Sequence, residues 1–287
     1  MNFLAILLAL GIERVFPQGT ALGESRLLGG VLSAVKRLGR SGDITPMPWL
    51  LTVVAVMLTL ALDRWLQGML VQPVFGAAVL LLCLGPRDLS DDVQRLVAAR
   101  RRGDVAEIER LSRSLQSGPA PDESHRNLIG ALFIQSHERL FGVLLWFMAL
   151  GPAAAVAYRL ASRLPTLLEK TGFSAGTLQA ATHLHALLAW VPTRLTAGLF
   201  ALAGSMDDAL AAWRRVGELH YNGAWRSHSW AVLAEVGAGA LAMEEENGAV
   251  VVTADLSTAL GEVLRMQTRA LLVLLAGFAV YAGGTLS

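Results

Sequence analysis

Apolar residues gather along the chain in blocks of helix length, separated by polar stretches rich in arginine. The blocks run over about 3–16, 49–62, 70–84, 140–160, 178–203 and 270–286. A helix needs roughly 20 apolar residues to cross a bilayer, and most of these blocks approach that length. The pattern predicts an all-α, polytopic membrane helix bundle with cytoplasmic helical loops, residues 1–287 forming one integral membrane domain. The first block is short and ends on Glu13-Arg14. With no basic start and no Ala-x-Ala site, it is expected to stay as a membrane helix rather than be cleaved. Gly151-Pro152 predicts a kink in the fourth block.

The polar stretches set the orientation. Arginines and lysines concentrate in 17–48, 86–138 and 205–268, which the positive-inside rule assigns to the cytoplasm. Both termini of this multi-pass membrane protein are then expected to face the periplasm. A first helix only half inserted would move the N-terminus to the other side. Within 86–138, Asp88 or Ser90 reads as an N-cap before an amphipathic helix. Gly103-Asp104 breaks and recaps it, and Val105, Ile108, Leu111 and Leu115 recur at helical spacing. Arg100-Arg101-Arg102 suits either solvent or anionic headgroups. In 205–268, 206–218 and 225–243 read as helical, Glu244-Glu-Glu-Asn247-Gly248 as a turn, and Val250 to Thr253 as a short extended piece.

Composition sharpens this picture. The chain is 54% hydrophobic and 16% charged, with mean hydropathy +0.49, whereas soluble domains carry about 25% charged residues. A net charge of +1 offers no bulk attraction for nucleic acid. The single Cys83 excludes an internal disulfide and reads as a small buried hydrophobe. No P-loop, H-E-x-x-H or G-x-S-x-G occurs, and Gly237-Ala-Gly239 lacks the third glycine of a dinucleotide loop. His183-Leu-His185 puts two imidazoles on opposed helix faces, a poor metal pair. No metal is expected, and no cofactor can be named.

The candidate chemistry lies inside the fifth block. Trp190-Val-Pro192-Thr-Arg194-Leu places a proline and a charge within a span. A charge in a bilayer costs about 2.5–3.5 kcal/mol on the lenient scale, so such residues usually face protein or water. Glu13, with Arg14, is the partner expected for Arg194 across helices. Such a pair either fixes helix packing or forms a working site.

Four pieces, in order, carry a resemblance over nearly the whole chain: Ile12-Glu13-Arg14-Val15-Phe16; Leu84-Gly85-Pro86-Arg87-Asp88-Leu89; Glu138-Arg139 through Trp146-Phe147 into Leu150-Gly151-Pro152 and Ala157-Tyr158-Arg159-Leu160; and Trp190 to Leu195 followed by Ala201-Leu202-Ala203-Gly204. They resemble the AmpE family, the inner-membrane partner of the amidase AmpD in β-lactamase induction. That family is distantly related to the cobalamin-biosynthesis proteins CobD and CbiB. The relatives share W-x-P-x-R-L and an acidic residue near Glu13. Their E-N-x-x-D-G motif is replaced here by Ser136 to Gly142, and their Pro-rich H-P-S-P-N run by His220-Tyr221-Asn222-Gly223.

The resemblance implies a non-catalytic regulatory protein linked to β-lactamase induction and peptidoglycan recycling, with Glu13, Arg14, Trp190, Pro192 and Arg194 as an intramembrane polar cluster. A CobD/CbiB-like enzyme is the alternative, forming amides or binding phosphate at the cytoplasmic face through Glu13, Arg194, Glu138 and His220; the candidates on that face are Glu138, Arg139, His220 and Asn222. Those residues also read as interfacial anchors and surface groups. A small-metabolite permease is a third reading, with Gly151-Pro152 and Val191-Pro192 breaking helices at membrane depth. Expected partners are membrane lipids and a cell-wall recycling amidase or muropeptide.

Overall fold

The computed structural model describes residues 2–15, 45–69, 71–84, 89–115, 125–218, 228–241, 244–246, 249–251 and 256–284. The chain divides into two compact units, one of 1–87 with 138–192 and the other of 88–137 with 193–287.

In the first unit, α1 (Asn2–Val15) buries Ala5, Ile6 and Ala9 against α3 (Gln72–Leu84), which has Gly76 at the closest approach. Cys83 is buried on α3, as its apolar surroundings predict. Helix α2 (Met47–Trp65) packs on α8 (Pro152–Thr171) through Met47, Leu164 and Leu168. Its remaining face is bare: Leu50, Val53, Met57 and Leu58 are exposed, as lipid-facing residues are. Helix α7 (Gly142–Leu150) seats Val143, Leu144 and Phe147 in this core.

The second unit holds α4 (Leu89–Arg102), α5 (Val105–Leu115), α6 (His125–Ser136), α10 (Met206–Glu218), α11 (His228–Ala240) and α12 (Leu256–Gly284). Helix α6 is at its centre, burying Leu128, Ile129, Leu132 and Phe133 and packing on α5, α11 and α12. The α4–α5 hairpin forms where the sequence places it. Gly103 turns with φ +68°, and Asp104 Oδ1 accepts the Glu107 amide at 3.1 Å. On its exposed side, Arg110 holds the Glu107 carboxyl below the usual carboxylate range. Glu244–Glu246 is a strand paired antiparallel with Ala249–Val251, not part of a turn.

Helix α9 (Ala175–Ala203) contributes to both units, and a π-turn, His137–Phe141, joins α6 to α7. Among the described residues, five helical stretches are long and apolar enough to cross a membrane: Met47–Trp65, one within Gln72–Arg102, Asn127–Leu150, Ala175–Ala203 and Leu256–Gly283. The protein is therefore a multi-pass, all-α membrane protein.

Three boundaries differ from the sequence reading. The segment 140–160 is not one kinked helix. The span there begins at Asn127 and ends at Leu150, Gly151 sits at φ 82°, ψ −164°, and a separate helix starts at Pro152. Residues 127–138, assigned to a cytoplasmic loop by charge, thus belong to that span. The last helix begins at Leu256, well before the apolar block at 270.

Candidate functional site

Ser136, His137 and Glu138 are the middle three of five consecutive polar residues, 135–139, within the span Asn127–Leu150. Successive side chains on a helix point about 100° apart, so the three cannot share one neighbour. The π-turn that starts at His137 is an irregularity often found at functional positions.

In the first unit, Glu138 meets His185 of α9, whose Nε2 lies 3.0 Å from one carboxylate oxygen and 3.2 Å from the other. Both side chains are largely enclosed, 12% and 9% exposed. Tyr158 of α8 is fully buried, its ring 6.1 Å from the His185 ring between centroids. The phenol feels the charges of both Glu138 and Arg159. Gly142, one residue past the π-turn, makes this possible, because a Cβ there would stand 2.5 Å from the Tyr158 ring. Arg159 is only 4% exposed. An enclosed carboxylate, imidazole, phenol and guanidinium therefore gather around α8 and α9. They can hold one another's charge in a medium where unpaired charge is costly.

The proline of the Trp190–Leu195 segment also acts in this unit. Helix α9 runs unbroken from Ala175 to Ala203 with Pro192 inside it, so Val191-Pro192 does not break the helix as expected. Proline lacks an N–H, which leaves the carbonyl four residues earlier, that of Leu188, without its helical donor. Trp146 Nε1 donates to that carbonyl at 3.0 Å.

In the second unit, Ser136 Oγ donates to Gln267 Oε1 of α12 at 3.0 Å. His137 is fully buried between two fully buried threonines of α9, its Nδ1 2.9 Å from Thr196 Oγ1 and its Nε2 3.4 Å from Thr193 Oγ1. A neutral imidazole satisfies both, donating from one nitrogen and accepting at the other. Phe133 packs edge-on against Phe200 at 4.9 Å between centroids. Gly204 lets the end of α9 meet α11, where the Ser205 amide bonds the Ala240 carbonyl at 2.8 Å.

Of the residues singled out in the sequence, Glu138 and Pro192 take part in these networks. Arg194 is half-buried on α9 and Trp190 is 55% exposed. Among the described residues, the deeply buried guanidinium is instead that of Arg159. Arg139 is half-buried in the π-turn. Glu13 and Arg14 lie in α1, but their side chains are outside the described residues, as are His220 and Asn222. The Glu13–Arg194 pair thus remains an expectation. Sequence reasoning missed His137, Tyr158, Arg159, His185, Thr193 and Thr196 as site residues. The available signal was the run of five polar residues, 135–139, in an apolar helix, matched by threonines near Arg194. Among the described residues, no group of three or more His, Cys, Asp or Glu side chains is placed to hold a metal ion.

A family model described as "Regulatory signalling modulator protein AmpE" matches residues 1–286. Among curated proteins, the chain is similar to a cobalamin biosynthesis protein CobD of Stutzerimonas stutzeri, 29% identical over 223 residues, covering 72% of this chain and 67% of that protein. It is also similar to the protein of the same description from Chromobacterium violaceum, 27% identical over 190 residues, covering 63% of this chain and 58% of that protein. No solved structure matches the chain significantly.

Proposed function

Because the chain belongs to the AmpE family, we propose that it is a non-catalytic regulatory protein of the bacterial inner membrane, coupling the state of peptidoglycan recycling to β-lactamase induction. The family description supports the regulatory part. The observation that carries the non-catalytic part is how the central polar groups are engaged. Ser136 is bonded to Gln267, His137 to two threonines, and Glu138 to His185. Groups engaged helix to helix suit an element whose packing changes with a signal better than one that presents reacting atoms to a substrate. A soluble recycling amidase or a muropeptide is the partner this reading calls for, at the arginine-rich cytoplasmic loops. Deleting the gene and measuring β-lactamase after induction tests the reading, and an unchanged induction curve would remove its basis.

The similarity to CobD proteins favours a second reading, a membrane enzyme that forms an amide bond. Glu138 and Arg159 would then orient an amine and an anionic group. Nucleotide or metal retained by the purified protein, together with amide formation on a cobalamin precursor, separates this reading from the first.

A further inference from the structure

The second unit carries an open cleft of about 810 Å3 between α4 and the start of α12. Its charged lining residues, among those described, are Arg101 and Arg102 of α4. Ser257 and Thr258, in the first turn of α12, line it from the other helix, and Val97 and Leu264 are among its apolar lining. None of these residues belongs to the Ser136–His137 network.

Three features of this cleft point to one ligand chemistry. Both arginines are exposed, and neither makes an ion pair among the described residues. Glu107, a carboxylate whose charge Arg102 feels, is already held by Arg110 at 2.5 Å. A planar guanidinium pair matches phosphate oxygens bidentately. The hydroxyls of Ser257 and Thr258 add neutral donors, and the first turn of α12 adds amides with no intrahelical acceptor. The apolar lining suits the non-polar part of the same molecule.

Position narrows the choice. The span Leu256–Gly283 has 28 residues, about 42 Å of helix against about 30 Å of hydrocarbon. The N-terminal half carries Glu262, Arg265 and Arg269, which disfavour acyl chains, so the excess length is assigned to that end and its first turns to headgroup level. We propose that this cleft binds the phosphate of an anionic amphiphile, with Arg101 and Arg102 as its ligands. An acidic phospholipid headgroup is the occupant favoured by a cleft beside a membrane span.

The full-length protein, purified in neutral detergent and in phosphatidylcholine nanodiscs, tests this by thermal melting. The two probes are phosphatidylglycerol added to the nanodiscs and inorganic phosphate added to the detergent sample. Arg101→Gln/Arg102→Gln is compared with Arg95→Gln/Arg100→Gln, which removes equal charge from the same helix outside the cleft. The proposal expects an anion-dependent rise in Tm in the wild type and in the Arg95/Arg100 variant. The Arg101/Arg102 variant should need at least about tenfold more anion for the same rise, as loss of charge-assisted bonds dictates. A rise with phosphatidylglycerol alone assigns the site to lipid, and a rise with inorganic phosphate too assigns it to any phosphate group. No rise with either probe, or equal losses in the two double variants, overturns it.

Discussion

The indole of Trp146 donates its N–H to the Leu188 carbonyl at 3.0 Å, the carbonyl that Pro192, four residues on, leaves without a helical donor. Two motifs 42 residues apart in sequence are thereby one structural device. Trp146→Phe should strand that carbonyl and destabilise the protein by about 1–3 kcal/mol. In a Pro192→Ala background the helix supplies its own donor, so the same Trp146 change should cost markedly less. A double-mutant cycle read by denaturation in detergent checks this. Equal costs in the two backgrounds would show that the indole bond is incidental.

Glu138 and His185 meet as an enclosed carboxylate–imidazole pair in the first unit. Removing one partner leaves the other in a poorly solvated place, where loss can reach about 3–5 kcal/mol. His185→Ala should lower the melting temperature more than Glu138→Gln, since the latter keeps a neutral hydrogen-bonding amide beside His185. The opposite order would mean that the imidazole is dispensable and the carboxylate is held chiefly by other groups.

Gly204 and Gly198 lie near the end of α9 in different surroundings. A Cβ on Gly204 would run into the backbone carbonyl of Ala240, whereas one on Gly198 would meet nothing within 4 Å. Gly204→Ala should therefore cost about 1–3 kcal/mol by overpacking. Gly198→Ala should be neutral or stabilising by up to about 1 kcal/mol, the helix propensity gain. Melting curves of the two single variants decide it.

The arginine distribution predicts the side of the α4–α5 hairpin. A reporter fused after Gly118 should give a cytoplasmic signal, and a periplasmic one would reverse the topology on which the proposed partners depend.

The helices were legible where the apolar run was continuous, as in α2 and α9. The span Asn127–Leu150 was misplaced because Ser136-His137-Glu138-Arg139 interrupts its hydrophobicity. In isolation those residues look like a boundary, and only their partners on other helices let them sit inside a span. The start of α12 was missed for the related reason that Glu262, Arg265 and Arg269 give its first turns a soluble character. The candidate site was half legible. Glu138 and Pro192 stood out as a charge and a proline in motif pieces. His137 and His185 looked unremarkable because a histidine's role depends on what faces it, which spacing along one segment does not encode. Arg194 drew attention as a charge in a span, yet Arg159 is the more enclosed guanidinium, because α8 packs its face inward on α2, α3 and α7.

The regulatory reading meets its most direct test in a gene-deletion strain complemented with wild type, His137→Ala or Glu138→Gln, with β-lactamase activity measured after induction and each protein's membrane level checked. The account predicts that deletion shifts induction and that wild type restores it, while at least one variant present at wild-type level does not. Induction unchanged by the deletion, or restored equally by both variants, would contradict it.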